Sequence, residues 1–216
     1  MTRYKSQTEK ILNVWAVILI IWSLYRATFK VSLDPLFDEF VAKPLVFLIP
    51  VYLFITHVEK KPFLKTIGLV KQNWARELFY GLIVGGIFFA GAVVTTGLKI
   101  QPSFFTEKKF LLAMATAFAA AITEEILSRG FVLRELYNES KNAFTSSFLA
   151  SVLFFFLHIP ILFTTQNMTG ALLLRVMITD IIFSLAVSFV YIARDKNLIM
   201  PIMIHALYAL SLSLLM

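Results

Sequence analysis

Long apolar stretches separated by short polar segments dominate this chain. Seven stretches of roughly 20 apolar residues have the length that a helix needs to cross a bilayer. They run approximately over 11–27, 41–58, 78–98, 110–136, 143–161, 171–193 and 198–216. No internal repeat or long linker divides them. The pattern predicts an all-α fold, a polytopic membrane helix bundle of about seven transmembrane helices, with residues 1–216 in a single membrane domain.

The composition agrees with a membrane protein. The 216 residues are 59% hydrophobic and 15% charged, whereas soluble domains are nearer half apolar and a quarter charged. The chain has no cysteine, which excludes disulfides, thiol nucleophiles and cysteine-bound zinc. The net charge of +7 does not predict a nucleic-acid partner, because the basic residues cluster between the apolar spans, where they contact anionic headgroups. The lipid bilayer is the expected partner.

The basic residues also predict the orientation in the membrane. With the N-terminus inside, thirteen of the 20 Lys and Arg residues fall on inner segments. These are Arg3, Lys5, Lys10, Lys60, Lys61, Lys65, Lys71, Arg76, Arg129, Arg134, Lys141, Arg194 and Lys196. The positive-inside rule therefore favours an integral cell membrane protein with a cytoplasmic N-terminus and an outward C-terminus.

Two segments have features beyond simple hydrophobicity. Residues 59–77, EKKPFLKTIGLVKQNWARE, are basic with interleaved apolar side chains, which favours an amphipathic stretch along the inner headgroups; a plain charged loop is the alternative, with equal weight. The fourth span carries Ala113, Ala117 and Ala121 at four-residue spacing. Small residues at this spacing let neighbouring helices approach closely, so this span is predicted to be buried among other helices.

Five ionisable side chains inside the predicted spans are candidates for a buried site. Glu124 and Glu125 are in the fourth span, His158 in the fifth, Asp180 in the sixth and His205 in the seventh. A charge inside the bilayer costs a few kcal/mol or more, so such residues are functional candidates that face the protein interior.

Distances along the helices indicate which of these side chains can meet. The fourth and fifth spans join at the polar turn YNESKNA, and Glu124 and His158 lie roughly 24 and 27 Å from its centre. His205 lies about 12 Å from the turn RDKN that precedes its helix. Glu124, His158 and His205 lie at the same depth in the membrane if the hairpin of the fourth and fifth spans extends beyond the membrane by about two helical turns. Asp180 lies about 22 Å from the second turn, too deep to join easily.

The adjacent glutamates point about 100° apart on a helix. Arg129 lies four residues after Glu125 and on the same face, so these two side chains are predicted to pair. Glu124 is then the carboxylate left for chemistry.

A carboxylate and two imidazoles suit the activation of a water molecule. The carboxylate takes the proton, one histidine orients the water, and the other stabilises the oxyanion. A divalent metal bound by Glu and His is a second option. The spacing matches no compact zinc signature such as HExxH, so neither a metal nor another cofactor is indicated.

Two short motifs resemble those of a known family. EEILSR, from Glu124 to Arg129, fits EExxxR, and FFFLH, from Phe154 to His158, fits FxxxH. Both are motifs of the CAAX protease and bacteriocin-processing family, also called the Abi family. The resemblance covers about 110–216, including SFVYIARDKNLIMPIMIHAL before the last histidine, and makes this region the expected catalytic core.

The resemblance implies a role for each matching residue. Glu124 would be the base that activates water together with His158, and His205 would stabilise the oxyanion. Glu125 and Arg129 would support the site, and Phe154 belongs to the second motif.

The last motif departs from the family pattern. The family reads HxxxN or HxxxD, whereas this chain reads HALYA, with Ala209 in the final position. Loss of one oxyanion donor costs about 10²–10³ in rate. A weakened protease, recruitment of another group such as Ser211, and a protein that works without catalysis therefore remain open.

Three functions compete at this level. The first is an intramembrane endopeptidase that hydrolyses a peptide bond of a peptide or membrane-protein substrate near the cytoplasmic side. The second is a non-catalytic scaffold or bacteriocin-immunity factor with a degraded site. The third is a proton-coupled transporter, with the glutamates and histidines as a relay; the absence of an inverted repeat argues against it. The short chain, small loops and lack of cysteine favour the bacterial members of the family.

Overall fold

The computed structural model describes residues 6–29, 35–69, 72–96, 108–165 and 170–213. These ranges contain helices and no strand. A single turn at Pro35–Phe37 leads into the second helix. The helices are α1 (Gln7–Phe29), α2 (Asp38–Val58), α3 (Phe63–Ile67), α4 (Trp74–Thr96), α5 (Lys108–Ser140), α6 (Ala143–Thr165), α7 (Gly170–Ala193) and α8 (Ile199–Ser213).

The helices agree with the predicted spans. Helices α1, α2, α4, α5 and α6 are each long and apolar enough to cross a membrane. Helix α8 and the part of α7 from Met177 to Ala193 are shorter apolar helices. The prediction of an all-α polytopic bundle is confirmed, and the chain is an integral membrane protein.

Two helices contain segments in which backbone N–H groups bond to the carbonyl five residues back. In α2, the N–H of Lys43 donates to the carbonyl of Asp38, and Pro44, which has no N–H, follows it. In α5, the segment with this hydrogen-bond pattern is Ile126–Leu133, and it begins directly after Glu125. Such π-helical segments occur frequently at functional sites.

Both halves of the chain contribute to one hydrophobic core. Its buried side chains include Trp22 of α1, Phe47 of α2, Leu127 of α5 and Leu157 of α6. The indole Nε1 of Trp22 donates to the carbonyl of Leu157 at 3.2 Å, and its ring packs edge-on against Phe47. The first two helices therefore pack directly against the helices that carry the ionisable residues.

Helix α4 approaches α8 closely because glycines face it. A Cβ at Gly81 would lie 2.6 Å from the Cβ of Met203, and one at Gly85 would lie 3.1 Å from the Cα of Ile204. Glycines four residues apart are a common device for close packing of membrane helices. Because His205 follows Ile204, this contact helps to set the position of His205.

The described part of the stretch 59–77 is partly helical, with Lys65 exposed and Ile67 buried, which is an amphipathic pattern and not a plain loop, and its position along the inner headgroups stays a prediction. Its short helix α3 buries Ile67 completely, and a Cβ at Gly130 of α5 would lie only 3.0 Å from the Ile67 carbonyl oxygen. Gly68 ends α3 with a φ of +88°, a conformation that glycine adopts without strain. Packing against α5, which the charge pattern does not encode, determines this conformation.

Candidate active site

Glu124 is the centre of a buried polar cluster formed by four helices. Its side chain is 7% exposed, and its Oε2 atom lies 3.6 Å from Nε2 of His158 and 3.7 Å from Nε2 of His205. Helices α5, α6 and α8 thus bring together the three residues that the sequence selected. Both imidazole Nε2 atoms approach the same carboxylate oxygen, which leaves the other oxygen for a different partner.

The imidazole of His158 is held by its own helix. Its Nδ1 lies 3.1 Å from the carbonyl oxygen of Phe154, one turn earlier on α6. A carbonyl oxygen only accepts hydrogen bonds, so Nδ1 carries the proton in this contact. In the neutral ring Nε2 is then the unprotonated nitrogen that faces Glu124, and it is able to accept a proton.

Glu125 connects His205 to a buried arginine. Its Oε1 atom lies 2.8 Å from Nδ1 of His205 and 2.8 Å from a guanidinium nitrogen of Arg129. The other terminal nitrogen of Arg129 donates to the carbonyl and hydroxyl oxygens of Ser184 on α7, at 2.9 and 2.8 Å. The predicted pairing of Glu125 with Arg129 is present, and the same carboxylate also orients His205. Because all these groups are buried, each charge depends on its partners.

Phe154 packs between the charged and aromatic members of the cluster. Its ring centroid lies 4.7 Å from that of His158 and 5.8 Å from that of His205. The guanidinium carbon of Arg129 lies 4.7 Å from the same centroid, a cation–π arrangement. The ring therefore contacts three site residues and limits the orientations of both imidazoles.

Lys43 of α2 completes the cluster, although it is not among the site residues predicted from the sequence. Its Nζ donates to Oε1 of Glu124 at 2.7 Å and to Oε1 of Glu39 at 2.7 Å. The Lys43 side chain is only 6% exposed. A sequence signal did exist, because a lysine four residues after a glutamate at the start of an apolar span is a candidate ion pair.

The comparison with known protein families bears on the C-terminal half. A family model described as type II CAAX prenyl endopeptidase Rce1-like matches residues 106–211, about half of the chain. Residues 106–211 are an Rce1-like domain. The match confirms the resemblance to the CAAX protease family, which is a family of membrane proteases. No curated protein and no solved structure matches the chain.

The Rce1-like domain contains all six residues that the motifs selected. They are Glu124, Glu125, Arg129, Phe154, His158 and His205. The structure brings these six together around Glu124 and Glu125. Lys43 and Glu39 lie in the first half of the chain, outside the Rce1-like domain.

Asp180 interacts with the cluster through its charge. Its carboxyl group on α7 interacts electrostatically with His158, Glu124 and His205. Charges in an apolar interior interact over distances longer than a hydrogen bond. Asp180 therefore contributes to the electrostatics of the site.

The final motif of the Rce1-like domain has no polar side chain at its last position. Ala209 is half-buried on α8, one turn after His205. The hydroxyl of Ser211, which the sequence offered as a substitute, donates to the Tyr208 carbonyl at 2.6 Å. Ser211 thus bonds to its own helix.

Among the described residues, no group of three or more His, Asp and Glu side chains is arranged to hold a metal ion. The ammonium of Lys43 occupies one oxygen of Glu124. A metal bound at Glu124 would have to share the carboxylate with this cation.

Proposed function

We propose that the chain is an intramembrane endopeptidase in which Glu124 and His158 activate a water molecule. The observation that carries the proposal is the approach of two imidazole Nε2 atoms, from His158 and His205, to the single oxygen Oε2 of Glu124. Membership of residues 106–211 in a protease family supports the reaction class. The substrate class is a peptide or a membrane protein.

The proposed reaction begins at Oε2 of Glu124. The carboxylate takes a proton from water, which His158 helps to orient, and the hydroxide adds to the carbonyl carbon of the scissile bond. The carbonyl oxygen becomes an oxyanion beside His205. When the C–N bond breaks, the proton held by Glu124 passes to the leaving amine. Atoms balance, with one water consumed for each peptide bond.

His205 has the partner that this role requires. The carboxylate of Glu125 accepts from Nδ1–H and stabilises an imidazolium, whose Nε2–H then donates to the oxyanion. Arg129 compensates the charge of Glu125 and also binds Ser184, so it acts as a support behind His205. Glu125 and Arg129 are therefore positioning residues in this proposal.

We further propose one membrane domain that carries out the reaction near the cytoplasmic side of a bacterial cell membrane. Core side chains from α1 and α2 pack with those of α5 and α6, which supports one domain. The excess of Lys and Arg on the segments predicted to lie on the same side as the N-terminus supports a cytoplasmic N-terminus.

The test is a comparison of the peptides found in membranes of cells that carry the wild type or a variant. Glu124→Gln and His158→Ala should each lower cleavage by about 10²–10⁴-fold, the contribution of a general base. His57→Ala is the matched control, because His57 is exposed and bonds to Thr56 outside the cluster. A peptide that depends on Glu124 and His158, but not on His57, is expected. Identical peptide profiles for the wild type and Glu124→Gln would contradict the proposal.

A non-catalytic scaffold or immunity factor is the second candidate, and Ala209 is the observation that favours it. In that case the cellular phenotype would survive both Glu124→Gln and His158→Ala. Expression level and helix content must be matched between variants, so that loss of protein is not mistaken for loss of catalysis.

A further inference from the structure

The two oxygens of the Glu124 carboxylate have different environments. Oε2 faces the imidazoles of His158 and His205 at 3.6 and 3.7 Å. Oε1 accepts a hydrogen bond from the ammonium of Lys43 at 2.7 Å. A carboxylate that rotated about its last bond would exchange these two oxygens. The charge-assisted bond to Lys43 opposes that rotation and keeps Oε2 directed at the imidazoles.

We propose that Lys43 is a positioning residue that holds Glu124 for water activation, so that the first half of the chain completes the active site. This inference rests on the proposed function. It assigns a role to a residue outside the Rce1-like domain, which begins at residue 106.

The fold presents Lys43 to Glu124 through the irregular part of α2. Lys43 follows the π-helical segment Asp38–Ala42 and precedes Pro44. Its ammonium is held from the other side by Glu39, one turn earlier on the same helix, at 2.7 Å. The cation is therefore fixed between two carboxylates, one from its own helix and one from α5. Both contacts are at ideal hydrogen-bond distance.

The ammonium of Lys43 is shared between Glu39 and Glu124, whereas Arg129 pairs with Glu125. Lys43 therefore supplies both charge and direction to Glu124, and the test has to separate the two contributions. Electrostatic interactions also reach Glu124 from His158, His205 and Asp180. The hydrogen bond from the ammonium of Lys43 fixes the direction of Oε1 of Glu124 within the described part of the chain.

The decisive variant removes the contact and preserves the net charge of the group. Lys43→Met combined with Glu39→Gln removes one positive and one negative charge and leaves Glu124 in place. Asp38→Asn is the matched control, because Asp38 forms a partly buried ion pair with Arg26 at the same end of α2. Lys43→Arg keeps a cation at the position. Lys43→Met alone leaves the buried carboxylate of Glu124 and the half-buried carboxylate of Glu39 without their cation. If that single variant does not fold, the charge-balanced pair still tests the proposal.

The assay uses the full chain in lipid nanodiscs with two probes. One is an internally quenched farnesylated peptide that ends in a CAAX sequence, and the other is the peptide identified by the membrane comparison. We expect the charge-balanced pair to lower kcat by about 10–100-fold, the cost of a misplaced catalytic group. KM should change by less than about threefold, because substrate contacts remain. Lys43→Arg should retain more of kcat than Lys43→Met, and Asp38→Asn should retain the wild-type kcat.

Each outcome separates this inference from the proposed function. If the wild type cleaves and Glu124→Gln does not, while the charge-balanced pair keeps kcat within about threefold, the role of Lys43 is contradicted and the peptidase proposal stands. If Asp38→Asn lost as much kcat as the charge-balanced pair, the effect of Lys43 would be a general structural one. That result would also overturn the inference. If the wild type cleaves neither probe, the proposed function fails and the inference fails with it.

Discussion

Glu125 and His205 are 80 residues apart in the sequence, yet the Oε1 atom of Glu125 lies 2.8 Å from Nδ1 of His205. The same oxygen also accepts a hydrogen bond from Arg129 at 2.8 Å. One carboxylate atom thus connects the first motif of the Rce1-like domain to its last histidine. Any change at Arg129 should therefore affect both the stability of the bundle and the orientation of His205.

Arg129→Met should destabilise the protein strongly. The variant leaves the buried carboxylate of Glu125 without its cation, and breaking a buried ion pair costs about 3–5 kcal/mol. The free energy of unfolding in mixed micelles measures the effect. Lys109→Met is the control, because Lys109 is exposed near the start of the same helix. Adding Glu125→Gln to Arg129→Met should recover part of the lost stability but not the activity. A double variant no more stable than Arg129→Met would contradict the role of the uncompensated charge.

The local part of the site follows from helical periodicity. Four-residue spacing is sufficient to pair Glu125 with Arg129. The lengths of two hairpins bring His158 to the depth of Glu124, and they bring His205 there if the hairpin of the fourth and fifth spans extends beyond the membrane by about two turns. These arguments need only the rise per residue and the position of a turn. The bond between Glu125 and His205 was not predicted, because the sequence analysis assigned the two glutamates to separate partners.

The long-range part of the site could not be read from the sequence. Nothing in the local pattern of α2 indicates that it packs beside Glu124, because periodicity shows which face of a helix is apolar but not which helix covers it. In the sequence, Lys43 is a lysine near the edge of a predicted span. Gly81 and Gly85 are likewise not marked as a packing pair, because glycines in apolar spans are common. Only the packing of α4 on α8 reveals what they contact.

Ala209→Asn should increase any hydrolytic activity of the chain. The proposal assigns stabilisation of the oxyanion to His205, and an amide one turn later on α8 would add a second donor. Because loss of such a donor costs about 10²–10³ in rate, the gain should approach the lower end of that range. Steady-state kcat with the farnesylated peptide measures it, and Ala209→Leu is the control for added volume. A rate that is unchanged or lower would contradict the placement of residue 209 beside the oxyanion.

Gly81→Ala should separate α4 from α8. A new Cβ would lie 2.6 Å from the Cβ of Met203, and overpacking of this kind costs about 1–3 kcal/mol. Gly86→Ala is the matched control on the same helix, because a Cβ at Gly86 has no neighbour within 4 Å. That control should be neutral or stabilising by about 0.5–1 kcal/mol through helix propensity. Unfolding free energies measure both variants. A loss of kcat in Gly81→Ala but not in Gly86→Ala would link this packing to the position of His205.

Gly68→Ala should destabilise the connection between α3 and the start of α8. Gly68 has a φ of +88°, and an added Cβ would lie 2.0 Å from the carbonyl oxygen of Lys196. The backbone oxygen of Gly68 also accepts from the N–H of Leu198 at 3.1 Å, so a shift that relieves the clash would strain this bond. The expected loss exceeds the roughly 1–2 kcal/mol of the left-handed conformation alone. Gly170→Ala is the control for a glycine-to-alanine change without a steric clash, because its new Cβ has no neighbour within 4 Å.

Gly68→Asn separates the two causes of that loss. Asparagine tolerates the left-handed conformation better than alanine does, but it carries the same Cβ. If contact with Lys196 dominates, both variants should lose similar free energy of unfolding, and trypsin should cleave more rapidly at the turn that contains Arg194 and Lys196. If Gly68→Asn instead matched the wild type in both measurements, the left-handed backbone conformation alone would explain why this position needs glycine. The close approach of Gly68 to the turn before α8 would then have no part in holding the helix that carries His205.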